Sequence, residues 1–176
     1  MPRKLKNIEL NRLSTEAFKN AQKSPAILVL NDIRSMSNVG SLFRTADAFR
    51  VEKICLCGIT GQPPHKEIRK TALGAEESVE WEGHESTLEC VNLYKERGYE
   101  ILALEQTTDS IDIREWEITD KPFALVLGNE VDGVSDEVLE VCDGVLEIPQ
   151  YGTKHSFNVA VSGGIALWEL LSRFRP

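Results

Sequence analysis

Short apolar runs that alternate with stretches of helical spacing constrain this chain more than any other feature. AILVL at 26–30, ICLC at 54–57, ILAL at 101–104, FALVL at 123–127 and VLEI at 145–148 show almost no polar alternation. Strands of this kind need cover on both sides, which points to a mainly parallel sheet with helices on both faces, an α/β domain. Between the first two runs, Val39, Leu42, Phe43, Ala46 and Phe49 recur at helical intervals over 38–50. A loop with Gly61, Pro63 and Pro64 leads to a basic helix over 65–74, and ESVEWE at 77–82 reads as a half-exposed strand. TLECVNLYKERG is a helix stopped by Gly98, and Ser135 opens a short helix as its N-cap.

The C-terminal segment is unusual in a different way. From Asn158 to Trp168 there is no charged residue, although the spacing predicts a helix over 158–174. A surface helix carries charge on its outer face, so this one is expected to be buried, with something covering it. Gly163 and Gly164 would then mark close backbone approach, despite costing about 1 kcal/mol each in a helix interior.

One domain of 176 residues accommodates these elements, with residues 1–24 as a short basic extension and 25–176 as the domain proper. No apolar run approaches the roughly 20 residues that span a bilayer, and MPRKLKN is not followed by a signal-type apolar stretch, so a cytoplasmic location without membrane attachment is expected. Cys55, Cys57, Cys90 and Cys142 lack zinc-type spacing with the histidines and read as buried free thiols, with no metal expected. Cys55 and Cys57 lie two apart and share one face of their strand. His65 and His84 fall in loops with no evident partner.

The formal net charge of -8 would by itself argue against a polyanionic partner. Its distribution argues otherwise, because residues 1–25 carry +4, 26–75 carry +3, 76–150 carry -17 and 151–176 carry +2. Phosphate binding depends on local Lys and Arg, so the first and last parts of the chain can still hold a nucleic acid.

In a parallel sheet the loops after the strands build the ligand site. Three stand out: NDIRSMSNVGSLFR after the first strand, LGNEVDGVS after the run at 123–127, and IPQYGTKHSFNV after the last. Gly128 and Gly133 are also what any tight turn requires, and neither a dinucleotide GxGxxG nor a Walker phosphate loop is present. Taken together and in this order, the three loops resemble the motifs of the SpoU-type, TrmH-like branch of the SPOUT superfamily. The residues that carry the resemblance are Asn38 and Arg44, then Gly128, Glu130 and Gly133, then Ile148, Pro149, Gly152, Ser156, Asn158 and Val159. Phe157 stands where that family usually has Leu.

The resemblance implies a C-terminal deep trefoil knot, a homodimer, and methyl transfer from S-adenosylmethionine to a ribose 2'-hydroxyl of tRNA or rRNA. It maps cofactor contacts to Leu104, Gly128, Ile148, Ser156 and Phe157, with Gly128 and Gly152 letting the backbone come close. It maps catalysis to Arg44, supported by Asn38, Glu130, Ser156 and Asn158. His155 is incidental to the motif. Each residue also has a plainer role available: Leu104 and Ile148 as strand-end core, Ser156 and Asn158 as helix capping. Arg34, Arg44, Arg50, Lys66, Arg69, Lys70 and the N-terminal cations are the expected RNA contacts. The alternatives are a non-catalytic RNA-binding protein of the same fold and an α/β enzyme acting on a small nucleotide.

Overall fold

The computed structural model describes residues 1–173, so Phe174, the last residue of the helix expected over 158–174, lies outside the described residues. A single 3-10 turn (Asn7–Leu10) and α1 (Thr15–Asn20) precede β1 (Ser24–Asn31), α2 (Met36–Ala48) and β2 (Val51–Cys57). Next come α3 (Lys66–Ala72), α4 (Ala75–Ser78), β3 (Glu80–His84), α5 (Thr87–Glu96), β4 (Glu100–Leu104) and β5 (Ile111–Asp112). The chain closes with β6 (Phe123–Leu127), α6 (Asp136–Leu139), β7 (Gly144–Glu147) and α7 (Val159–Arg173). The seven strands form one sheet in the order β3-β2-β1-β6-β4-β7-β5. Every pairing is parallel.

Period-2 alternation explains the unbroken apolar run of β1. Ala26, Leu28 and Leu30 enter one hydrophobic cluster with Leu42, Phe43 and Leu167, while Ile27 and Val29 enter a second with Cys90, Tyr94 and Val138. α2 and α7 thus cover one face and α5 and α6 the other, and a polar residue at any of these positions would be buried without a partner. Each buried Leu, Ile or Val contributes about 1.5–3 kcal/mol, which makes β1 the natural centre of the fold. Among the described residues no helix is long and apolar enough to cross a membrane.

Several expectations change. The stretch 77–82 is divided, its first residues ending α4 and only Glu80 onward pairing as β3. Ser135 takes the N-cap position without a side-chain bond, and its backbone N–H donates instead to Asn31 Oδ1 at 3.2 Å. His65 has a partner after all, its Nδ1 capping α3 by accepting from the Glu67 N–H at 3.2 Å. His84 closes β3 instead of lying in a loop.

Helix α7 is not wholly buried. Gly163, Ala166, Leu167 and Leu170 pack inward, whereas Val161, Ile165 and Trp168 stand exposed, Trp168 at 65%. The absence of charge therefore reflects two apolar faces, only one of which this chain covers. A Cβ on Gly163 would come within 2.8 Å of Leu127 and 2.9 Å of Leu42, so glycine lets α7 settle between α2 and β6 without displacing those buried side chains. Gly164 has no such constraint, its nearest neighbour being Thr45 at 3.8 Å, and Gly152 meets nothing within 4 Å.

Candidate active site

β6, β4 and β7 end together, and the loops that leave them line a cavity of about 460 Å³. All five expected cofactor contacts line it: Leu104 from the end of β4, Gly128 after β6, Ile148 after β7, and Ser156 and Phe157 from the loop before α7. Gly128 is obligatory for a packing reason, because a Cβ there would collide with the backbone of Gly133 and Val134. That turn is pinned by Asn129, whose backbone exchanges two 3.0 Å hydrogen bonds with Gly133 and whose side-chain amide donates to the Asp32 carbonyl at 2.7 Å.

Glu130 organises the rim. Its carboxylate accepts from the backbone N–H groups of Arg34 at 3.0 Å and Ser35 at 3.1 Å, and from the Asn38 side-chain amide at 2.9 Å. Asn38 Oδ1 in turn accepts from Asn158 Nδ2 at 3.0 Å. Asn158 also caps α7, its Oδ1 accepting from the Ala160 N–H at 3.0 Å, so the capping role and the site role coexist. Burial opposes the charge on Glu130, but the donors from Arg34, Asn38, its own backbone and Ser35 prevail and hold its carboxyl below the usual carboxylate range.

Glu105, Glu130, Asp132 and Glu147 line the cavity, and among the described residues no Lys or Arg does. Such a wall repels phosphate and suits a ligand that is itself cationic, over an apolar floor that includes Leu104, Leu127 and Ile148.

Arg44 is not part of that wall. It stands about 9 Å beyond Asn38 along α2, exposed, bordering a separate depression with Thr45, Thr71 and Gly164. Lys70 borders this depression and also the neighbouring one that holds Lys66, Arg69 and Trp81. Arg44 likewise borders a third depression with Arg12 and Arg50, so the cations border adjoining depressions, in which Asp47, Glu76 and Glu77 are interspersed. Arg34 stands apart, 3.5 Å from Asp132 in an exposed ion pair.

Two contributions escaped the sequence. Glu105 accepts from the Val134 N–H at 3.0 Å and so holds the Gly133 turn. His155 lines the cavity, and its carbonyl accepts from Gln106 Nε2 at 2.9 Å, tying the loop after β4 to the loop before α7. Both are contacts between segments far apart in the chain, which no local pattern announces.

The profile of the SpoU rRNA Methylase family matches residues 25–168. The chain belongs to that family. Among its relatives is the tRNA (guanosine(18)-2'-O)-methyltransferase of Aquifex aeolicus, 32% identical over 154 residues that cover 88% of this chain and 72% of that enzyme. The 23S rRNA (guanosine-2'-O-)-methyltransferase RlmB of Neisseria meningitidis serogroup B is 31% identical over 154 residues, again 88% of this chain but 61% of the relative. Of solved structures, the AdoMet-bound rRNA methyltransferase from Sinorhizobium meliloti superposes with a TM-score of 0.81 at 26% identity, covering 90% of this chain and 61% of that one. Compared with these two rRNA-directed SpoU proteins, the present chain spans about three fifths of the length. The Sinorhizobium meliloti enzyme is AdoMet-bound, and S-adenosylmethionine suits this cavity chemically: its sulfonium and ammonium groups are cationic, and Glu105, Glu130, Asp132 and Glu147 are among the lining residues.

Proposed function

We propose that this protein transfers a methyl group from S-adenosylmethionine to a ribose 2'-hydroxyl of tRNA or rRNA. The observation that carries the reading is electrostatic: the cavity is lined by four carboxylates and, among the described residues, by no Lys or Arg, while Arg12, Arg44, Arg50, Lys66, Arg69 and Lys70 border separate depressions. One surface selects a cation and the other a polyanion. When bound, S-adenosylmethionine supplies a methyl group already activated by its sulfonium charge. Leu104, Gly128, Ile148, Ser156 and Phe157 would hold the cofactor, Leu104 and Ile148 offering apolar surface to its adenine, and the Glu130–Asn38–Asn158 chain fixes the rim.

Arg44 holds the phosphate next to the reacting ribose and stabilises the alkoxide that develops at the 2'-oxygen. It does so as a cation, because a guanidinium with a pKa above about 12 does not serve as a base. Residues 1–24 act as an accessory arm to the domain that begins at residue 25: Phe18 anchors it in the core and Arg12 joins Arg44 and Arg50 at their depression.

The same reading assigns a knot and a dimer. β7 lies between β4 and β5, so the segment 105–122 rounds β7 before returning to β6. Arg173 at the end of α7 donates to the carbonyls of Ile113, Arg114 and Trp116 in that segment. We infer that the chain from β7 onward passes through this loop. The exposed stripe Val161, Ile165 and Trp168 is then the seat of a second copy, which brings Arg44 of one protomer toward the cavity of the other. Trp168→Glu is expected to shift the protein from dimer to monomer in analytical ultracentrifugation and to lower methyl transfer by at least about tenfold. An unchanged sedimentation profile would remove this surface from the interface.

The function itself is tested by incubating the protein with methyl-labelled S-adenosylmethionine and bulk RNA, then digesting to nucleosides. Label is expected in 2'-O-methyl nucleosides. Cofactor binding without any transfer would leave an RNA-binding protein, and label on a base would overturn the ribose assignment.

A further inference from the structure

Away from the cavity and the depressions bordered by cations, the sheet edge formed by β2 and β3 gathers a second set of reactive side chains. Cys55 pairs with Glu82 and Cys57 with His84 in the parallel register, so alternation sends all four to the same face. α5 covers that face and lays Cys90 and Tyr94 against Cys55 and Cys57. The sulfurs of Cys55 and Cys90 and a ring nitrogen of His84 all lie within 4.8 Å of one another. Glu82 Oε1 completes the group, 3.8 Å from Cys55 Sγ and 3.0 Å from His84 Nε2.

Core packing would ask only for apolar volume at these positions, as it does under the rest of α5, where Val91, Ile101 and Val126 suffice. Here two thiols, an imidazole and a carboxylate converge, and their outer partners are already arranged. Lys53 Nζ donates to Glu82 Oε2 at 2.9 Å and Tyr94 Oη to Glu82 Oε1 at 2.8 Å. Metal–sulfur bonds of about 2.3 Å and metal–nitrogen bonds of about 2.0 Å place tetrahedral ligand atoms roughly 3.5–3.8 Å apart, so closing on one ion takes adjustments of about 1 Å. Charge also balances: two thiolates and a carboxylate around a divalent cation leave one negative charge, which the Lys53 ammonium offsets. His84 and Glu82 are 20% and 32% exposed at the side chain, which gives an ion a way in from the sheet edge.

We propose that Cys55, Cys90, His84 and Glu82 form a zinc-class metal site that ties the edge strand β3 and helix α5 to β2. The thiols of Cys55 and Cys90 lose their protons to solvent as the sulfur–metal bonds form, and nothing is oxidised or reduced. Without an ion, the hydrogen bond with Cys90 and burial push the Cys55 thiol well above its ordinary value, a balance that a bound cation reverses. Spacing along the chain conceals the set, because its members come from β2, β3 and α5.

The test is titration of the reduced, chelator-stripped full chain with cobalt(II), read by thiolate-to-metal charge-transfer absorbance and by displacement with zinc(II). Saturable binding of a single ion with tetrahedral ligand-field bands and a raised Tm is expected. Cys55→Ser and Cys90→Ser should weaken binding by more than about 100-fold and Cys142→Ser should leave it unchanged. His84→Gln and Glu82→Gln alter partly exposed groups and so keep the test open if a buried cysteine variant does not fold; each should cost roughly 10–100-fold. A folded wild-type protein without the charge-transfer band would overturn the proposal. So would a band that persists at full strength in His84→Gln and Glu82→Gln.

Discussion

Arg44→Ala is expected to abolish methyl transfer to RNA while fold and S-adenosylmethionine binding survive. The side chain is exposed on α2, and among the described residues it makes no hydrogen bond or ion pair. Its loss should therefore change stability by less than about 0.5 kcal/mol, and alanine is at least as good a helix former. The cavity proposed for the cofactor does not include Arg44, so calorimetric affinity for S-adenosylmethionine should match the wild type. In the proposed mechanism Arg44 acts in the transition state. Removing a preorganised donor from a developing oxyanion costs about 100–1000-fold, and losing a phosphate contact adds to that. Arg44→Lys separates the two contributions, because lysine keeps the charge but not the planar fork and should recover only part of the rate. Single-turnover methyl transfer, circular dichroism and calorimetry on the same preparations check all three statements. Turnover at the wild-type level in Arg44→Ala would remove this residue from the mechanism.

How much of this could be read beforehand depends on the range of the interaction. β1 was legible because cover on both faces removes polar alternation from Ala26 to Leu30, a local signature. The cavity was legible because each wall sits just after a strand, so Leu104, Gly128 and Ile148 carry their position in the topology. What the chain hid is long-range or very short. β5 is two residues, Ile111 and Asp112, too few for any period, and it exists only because Leu146 and Glu147 arrive beside it. The outward stripe of α7 is as free of charge as its inward face, so absence of charge could not say which side is covered. Gly163 is crowded by Leu42 and Leu127, which lie far apart in the chain, so no local pattern marks it. The cluster of Cys55, His84 and Cys90 requires the register of β2 on β3 before it exists at all.

Glu130→Gln should have the second large effect, through position instead of charge transfer. The carboxylate takes three hydrogen bonds at once, from Arg34 N–H, Ser35 N–H and Asn38 Nδ2, and so joins the turn after β6 to the start of α2. An amide has a single acceptor oxygen and directs its own N–H groups at donors. At least one backbone N–H is then left without a partner: the Arg34 N–H if the amide oxygen stays with Ser35 and Asn38, or the Ser35 N–H together with the Asn38 amide that holds Asn158 if it turns the other way. A displacement of about 1 Å at the rim costs on the order of 100-fold in rate, so methyl transfer should fall by that much with a smaller change in cofactor affinity. Stability should fall too, by about 1–2 kcal/mol at neutral pH once solvent screening of a partly exposed group is allowed for. The sign of the pH dependence follows from the lowered pKa of Glu130. The unfolded chain protonates near the ordinary value of about 4.3, so the carboxylate's contribution is complete above that pH. It disappears as pH falls through the lower folded value. Urea midpoints of wild type and Glu130→Gln should therefore differ most at neutral pH and converge in acid. A gap that stays constant into acid would mean the carboxylate charge is not what holds the rim, and that α2 and the turn after β6 are fastened by the remaining contacts of Asn129 and Asn158.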